Sequence, residues 1–122
     1  MLKKSLLILS LSTLIASAND AKQVALDLCE YSKTANVEGM IKHASKAMLP
    51  QLNQIAEMLK MAKSTPQGRA KLAEGLKNVA SVNCKTSTKL TKNSDGSFKV
   101  TNNQTKQQFT LKKVNQDWKF AP

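Results

Sequence analysis

Near Ser81 the apolar residues of this chain change their spacing, and that change decides which folds are open to it. Upstream, apolar side chains recur every three to four residues: Ala21, Val24, Ala25 and Leu28; then Val37, Met40, Ile41, Ala44, Ala47 and Met48; then Leu52, Ile55, Ala56, Leu59 and Ala62; then Leu72, Leu76, Val79 and Ala80. One face of an α-helix repeats at that period. Downstream, Ser, Thr, Lys, Asn and Gln dominate, and apolar residues fall at every second position, as on a strand with one buried face. The chain therefore reads as α+β, with N-terminal helices packed on a curved antiparallel sheet formed by the C-terminal third.

Local signals set the boundaries. Asp20 and Asn36 are predicted N-caps, and Pro50 suits the first turn of a third helix. Thr65-Pro66 is a cap followed by a first-turn proline, so a fourth helix begins there. The helix after Asn36 is expected to run through Met48. Val82, Cys84, Thr86, Thr88 and Leu90 alternate with polar neighbours and predict a first strand with Cys84 on its core face. Asn93-Ser94-Asp95-Gly96 and Asn102-Asn103-Gln104 are turns around a strand bearing Phe98 and Val100. Phe109 and Leu111 share a face, Lys112-Lys113 before Val114 suggests a bulge or a slip of register, and Asn115-Gln116-Asp117 leads into a last strand with Trp118 and Phe120.

The first eighteen residues read as a cleavable signal peptide. Lys3 and Lys4 form a basic start, Leu6 to Ile15 an apolar run, and Ala16-Ser17-Ala18 a small-x-small cleavage site. Cleavage near Ala18 delivers residues 19–122 to the periplasm or the medium as a single α+β domain. No later stretch is apolar enough for a membrane span, which takes about 20 residues. Without Lys3 and Lys4 the chain keeps 17 basic residues against eight acidic ones, a net charge of +9. Such an excess draws a protein to anionic polymers or lipid surfaces. With Arg69 as its one arginine and a single Trp and Tyr, the chain lacks the forks and stacking groups that nucleic-acid readers use, so no nucleic acid is expected. Cys29 and Cys84 lie 55 positions apart without a C-x-x-C or Cys/His cluster, which in an oxidising compartment points to one structural disulfide.

The path from Leu28-Cys29-Glu30-Tyr31 through Met40-Ile41-Lys42-His43-Ala44-Ser45 to the closing strands from Phe109 to Val114 and from Trp118 to Phe120 resembles the small exported domains of the nuclear transport factor 2-like, or cystatin-like, superfamily. The resemblance spans nearly the whole chain after Ala18, with the terminal Trp118-Lys119-Phe120 its most telling piece. It implies a sheet wrapped around helices and a conical pocket between them. Some members are pocket enzymes of the isomerase or dehydratase type, and fold alone does not say which chains are.

Two classes of function follow from these residues. One is a non-catalytic binding module. It would hold a small apolar ligand in the pocket, with His43 and Trp118 as candidate pocket residues, or an anionic partner on an outer sheet face carrying Lys85, Lys89, Lys99 and Lys106. The other is a pocket enzyme with His43, the one histidine, as acid or base. Asp27 and Glu30 read as a solvated helix face, and no acid/base pair stands at a diagnostic spacing. Met40, Met48, Met58 and Met61 read as core filling rather than a soft-metal site, since metal binding needs convergent ligands. No cofactor is implied. Asn103-Gln104-Thr105 formally fits an N-glycosylation acceptor at a turn.

Overall fold

The structure, a computed structural model, describes residues 20–122. The signal-peptide reading concerns residues 1–18 and so lies outside the described residues. Helix α1 covers residues 20–34 and is followed by α2 (Val37–Lys42), α3 (Leu49–Lys63), α4 (Pro66–Ala80) and the single turn α5 (Cys84–Ser87). Strands β1 (Thr88–Lys92), β2 (Phe98–Asn102), β3 (Gln108–Val114) and β4 (Asp117–Ala121) then form a four-stranded antiparallel meander in the order β1-β2-β3-β4. The α+β reading holds.

Register shows which side of the sheet is the core. Leu90 faces Val100, Val100 faces Phe109, Phe98 faces Leu111 and Leu111 faces Phe120. Directly opposed residues share a face, so these side chains form one continuous apolar surface. Helix α1 supplies Ala21, Ala25 and Leu28 to the same buried cluster, which takes in Val37 of α2 and Leu52 of α3 as well. Small residues along α1 let its backbone approach closely. Phe98 meets Trp118 edge-on at 5.4 Å between ring centroids, and Phe109 meets Phe120 at 5.8 Å.

Cys29 of α1 and Cys84 of α5 are joined by a disulfide. Cys84 is buried, as expected, but it does not sit on a strand. The predicted strand over 82–91 starts only at Thr88, because local side chains compete for the backbone before it. The Asn83 side chain accepts the N–H of Thr86 at 3.3 Å, and Ser87 Oγ donates to Asn83 O at 2.6 Å. Beyond Val82 and Cys84 the inward positions of a strand would pass to Thr86 and Thr88, which offer no large apolar side chain to hold the segment extended.

A second departure lies after α2. The helix stops at Lys42 instead of running to Met48, and residues 43–45 swing beside β4. There Phe120 N–H donates to His43 O at 2.8 Å and Ser45 N–H donates to Phe120 O at 3.0 Å, forming a parallel bridge between Ala44 and Phe120. The exposed edge of β4 needs partners for its backbone groups, and this segment supplies them. Lys119 reaches over the same edge, donating from Nζ to Lys42 O at 2.8 Å. Lys112 and Lys119 stand directly opposite one another across β3 and β4, and this reach draws one ammonium away from the other.

Turn chemistry accounts for the rest of the sheet. Asn115 and Gln116 both have positive φ, 50° and 70°, which is the backbone a two-residue hairpin of right-twisted strands requires. The ladder through Lys112 and Lys113 is uninterrupted, with Lys112 opposite Lys119 and Lys113 opposite Trp118, so there is no bulge. In the β1–β2 turn, Asp95 Oδ1 accepts from the N–H and the hydroxyl of Ser97. Those two bonds, with Lys112 nearby, hold the Asp95 carboxyl below the usual carboxylate range.

The two long helices form a hairpin that is encoded locally. Thr65 caps α4 by accepting the Gly68 N–H at 3.0 Å, Ser64 Oγ donates to Met61 O at 2.6 Å, and Arg69 Nη1 donates to Lys63 O at 2.8 Å. A Cβ on Gly68 would run into the Ala62 carbonyl oxygen, so only glycine lets the helices turn this tightly. Beyond the turn, support thins out. No residue of α4 is buried; Leu72, Leu76 and Val79 are half-buried, and Ala80, expected inward, is exposed.

Two results are expected. Unreduced protein should be lighter by two hydrogens than the thiol form, and reduction should lower stability by about 4 kcal/mol in the chain-entropy account of a loop this long. Gly75 in α4 has open space where a Cβ would go. Gly75→Ala should thus raise the stability read from urea unfolding by about 0.5–1 kcal/mol, whereas Gly68→Ala should lower it by about 1–3 kcal/mol.

Candidate functional site

Between α1 and the inner face of the sheet lies a cavity of about 690 Å³. That is within the range of small-molecule sites. Its buried walls are Ala25 and Leu28 of α1, Val82, Val100 of β2 and Phe120 of β4, with Met40, Met48, Val79 and Phe109 half-buried around them. Gln51, Gln107, Gln108 and Pro122 also line it but are exposed, and so mark the opening. The period that pairs Ala25 with Leu28 also aims Cys29 and Ser32 along the neighbouring strip of the same helix. The cavity is therefore a consequence of small and medium side chains on α1 facing a sheet whose large rings gather toward β3 and β4.

The chemistry of this lining is narrow. Lys33 is the one lining residue with a charged side chain, and no side-chain carboxylate or imidazole borders the cavity among the described residues. Beyond the three glutamines at the opening, hydroxyl and amide groups come from Ser32, Thr88, Asn102 and Thr105. Ser32 Oγ donates back to Leu28 O at 2.9 Å, so that hydroxyl is engaged within its own helix. Thr88 Oγ1 is buried without a hydrogen-bond partner.

Neither candidate pocket residue lines this space. His43 follows the last turn of α2, stacks near Tyr31 at 6.4 Å between ring centroids, and engages its backbone carbonyl with β4. The early end of α2 carries it away, because the chain turns to pair with Phe120 one residue later. Trp118 belongs to the core, 6 % exposed and packed on Phe98, two residues along β4 from the cavity-lining Phe120. The sequence signal that identified the real lining was the inward stripe of α1 together with the inner strand positions. What it lacked was the gap between them.

The lysines separate into different settings. Lys89 and Lys99 do lie on the outer sheet face: Lys89 opposes Thr101, and Lys99 stands between Thr91 and Thr110. Lys85 is carried off that face by α5, and Lys106 sits in the β2–β3 turn with φ 64°. Lys112 and Lys119 take their places by register. Asp27 accepts a hydrogen bond from Gln23 on its own helix at 2.9 Å, and Glu30 pairs with Lys33 at 3.9 Å.

The methionines do not converge either. Met40 and Met48 line the cavity, whereas Met58 and Met61 are 63 % and 71 % exposed. The packing of α3 on α4 leaves both side chains outside, so these two are surface and not core. Among the described residues no group of three or more His, Cys, Asp or Glu side chains is placed to hold a metal ion, and no helix is long and apolar enough to cross a membrane. No family model, curated protein or solved structure matches this chain.

Core and cavity are thereby separable by mutation. Trp118→Ala should lower stability by about 3–5 kcal/mol, as truncation of a buried large aromatic does, while what folded protein remains keeps its capacity to bind in the cavity. Urea unfolding and ligand titration on the same sample check both halves.

Proposed function

We propose that this protein is an exported, non-catalytic binding module that takes a small apolar ligand into the cavity between α1 and the sheet. The observation that carries the reading is the lining: apolar walls, an opening bordered by glutamines, and a single charged side chain, Lys33. Sites with predominantly apolar walls and few polar groups are built for holding ligands, with the polar groups fixing orientation. General acid–base chemistry needs a titratable group within hydrogen-bond reach of the reacting atom. His43, the side chain best suited to it, stands outside the lining, which disfavours a pocket enzyme of the isomerase or dehydratase type.

Export is part of the same proposal. The Cys29–Cys84 disulfide suits an oxidising compartment, and the basic-apolar-small pattern of residues 1–18 is that of a cleaved leader. We also place the chain with the nuclear transport factor 2-like superfamily, on the strength of its terminal strands and of helices packed over a meander with a cavity between.

The test uses N-phenyl-1-naphthylamine, an uncharged probe that brightens in apolar surroundings. The wild-type protein should bind it saturably, with one site per chain. Met48→Trp, which fills the cavity from its wall, should weaken binding at least tenfold, and His43→Gln should leave it unchanged. Absence of saturable binding, or equal binding by Met48→Trp, would sink the reading.

A further inference from the structure

Three polar side chains of the cavity wall, Thr88, Asn102 and Lys33, stand near the disulfide. Thr88 opens β1 opposite Asn102, and Asn102 Nδ2 lies 3.7 Å from the sulfur of Cys29. Lys33 stands one helical turn beyond Cys29 on α1, so register and helix period together bring Thr88, Asn102 and Lys33 to one wall. In the other direction, Val100 follows Asn102 on the inner side of β2 and faces Phe109, and Phe120 lies beyond Leu111 on β4. The cavity thus runs from a polar end near the disulfide to an aromatic end near the chain terminus.

The three polar residues are not equally committed. Asn102 Oδ1 already accepts the N–H groups of Gln104 at 2.9 Å and Thr105 at 3.0 Å. Lys33 has a long 3.9 Å pairing with Glu30, whose side chain is 58 % exposed, and such surface pairs contribute little. Thr88 Oγ1 is buried with no partner, and a buried hydroxyl left in that state is costly. A purely apolar ligand would leave it so, whereas an oxygen acceptor that displaces the groups shielding this hydroxyl would satisfy it.

We infer that the ligand is a single-chain amphiphile with an anionic head, its chain lying along Val100, Phe109 and Phe120 and its head accepting a hydrogen bond from Thr88 beside the Lys33 ammonium. This assignment rests on the cavity being a binding site and adds the chemical class of what fills it. The hydroxyl reads an oxygen acceptor and the ammonium reads its charge, in surroundings drier than bulk water where both count for more.

Displacement of N-phenyl-1-naphthylamine from the mature chain by laurate, decanoate and dodecanol, all below micelle-forming concentrations, tests this. Laurate should compete about tenfold better than dodecanol, and about sixteenfold better than decanoate, at roughly fourfold per buried methylene. Lys33→Gln should weaken laurate alone and flatten its salt dependence. Thr88→Val, which keeps the shape and removes the hydroxyl, should weaken laurate and dodecanol alike by about tenfold. Both variants should keep the parent's cooperative urea transition, which shows that they fold. If the parent binds the probe but takes laurate and dodecanol equally, or if neither variant changes competition, the head assignment falls while the binding module stands. If the parent does not bind the probe at all, the cavity reading falls with it.

Discussion

The bond between Cys29 and Cys84 is the constraint around which the rest of this domain is arranged. It fastens the middle of α1 to the turn of helix that feeds β1, at the end of the molecule where the cavity begins. A domain of this size has little stability to spare, and an internal space forfeits packing contacts that a filled core would make. Limiting the unfolded chain with one long covalent loop offsets part of that loss. The same link holds α1 at a set distance from the sheet at one end, while the burial of Ala21 in the shared core holds it at the other. Between these two points of attachment the walls can stay apart.

Stability is distributed unevenly as a result. The inner sheet face, α1 and the starts of α2 and α3 share one buried cluster. The α3–α4 hairpin extends beyond it, supported by its own caps, by Gly68 and by the reach of Arg69 to Lys63. Elements with few buried contacts open at lower free energy than the core does. Val79, which borders the cavity, belongs to this less supported part of the molecule. The wall toward α1 and the sheet is the firm side, and the wall toward the hairpin is the yielding one.

Much of the architecture was legible in the residues. Asn36 and Thr65 act as the caps they were read to be, because a short polar side chain before an apolar helical stripe has few other uses. Phe98, Val100, Phe109, Leu111, Trp118 and Phe120 all lie on one sheet face, since a period of two leaves no alternative once the turns are known. The errors came where two readings satisfied the same pattern. Ala44 is buried whether 43–48 is helix or an edge segment, and the demand of β4 for a partner decided between them. The segment from Val82 to Thr88 alternates like a strand, yet Asn83 and Ser87 engage its backbone locally.

The order of elements, the inward stripe of α1, the sheet register and the cysteine pair were determined by the sequence itself, because each depends on spacing along the chain or on residues a few positions apart. The cavity was decided only by tertiary structure. It depends on how far α1 stands from the sheet, on α2 ending early so that His43 leaves the site, and on Phe98 and Trp118 filling one end of the core while Phe109 and Phe120 border the open end. A buried apolar side chain has the same signature in a sequence whether it meets another side chain or the edge of an internal space. Only the distances between elements tell the two apart.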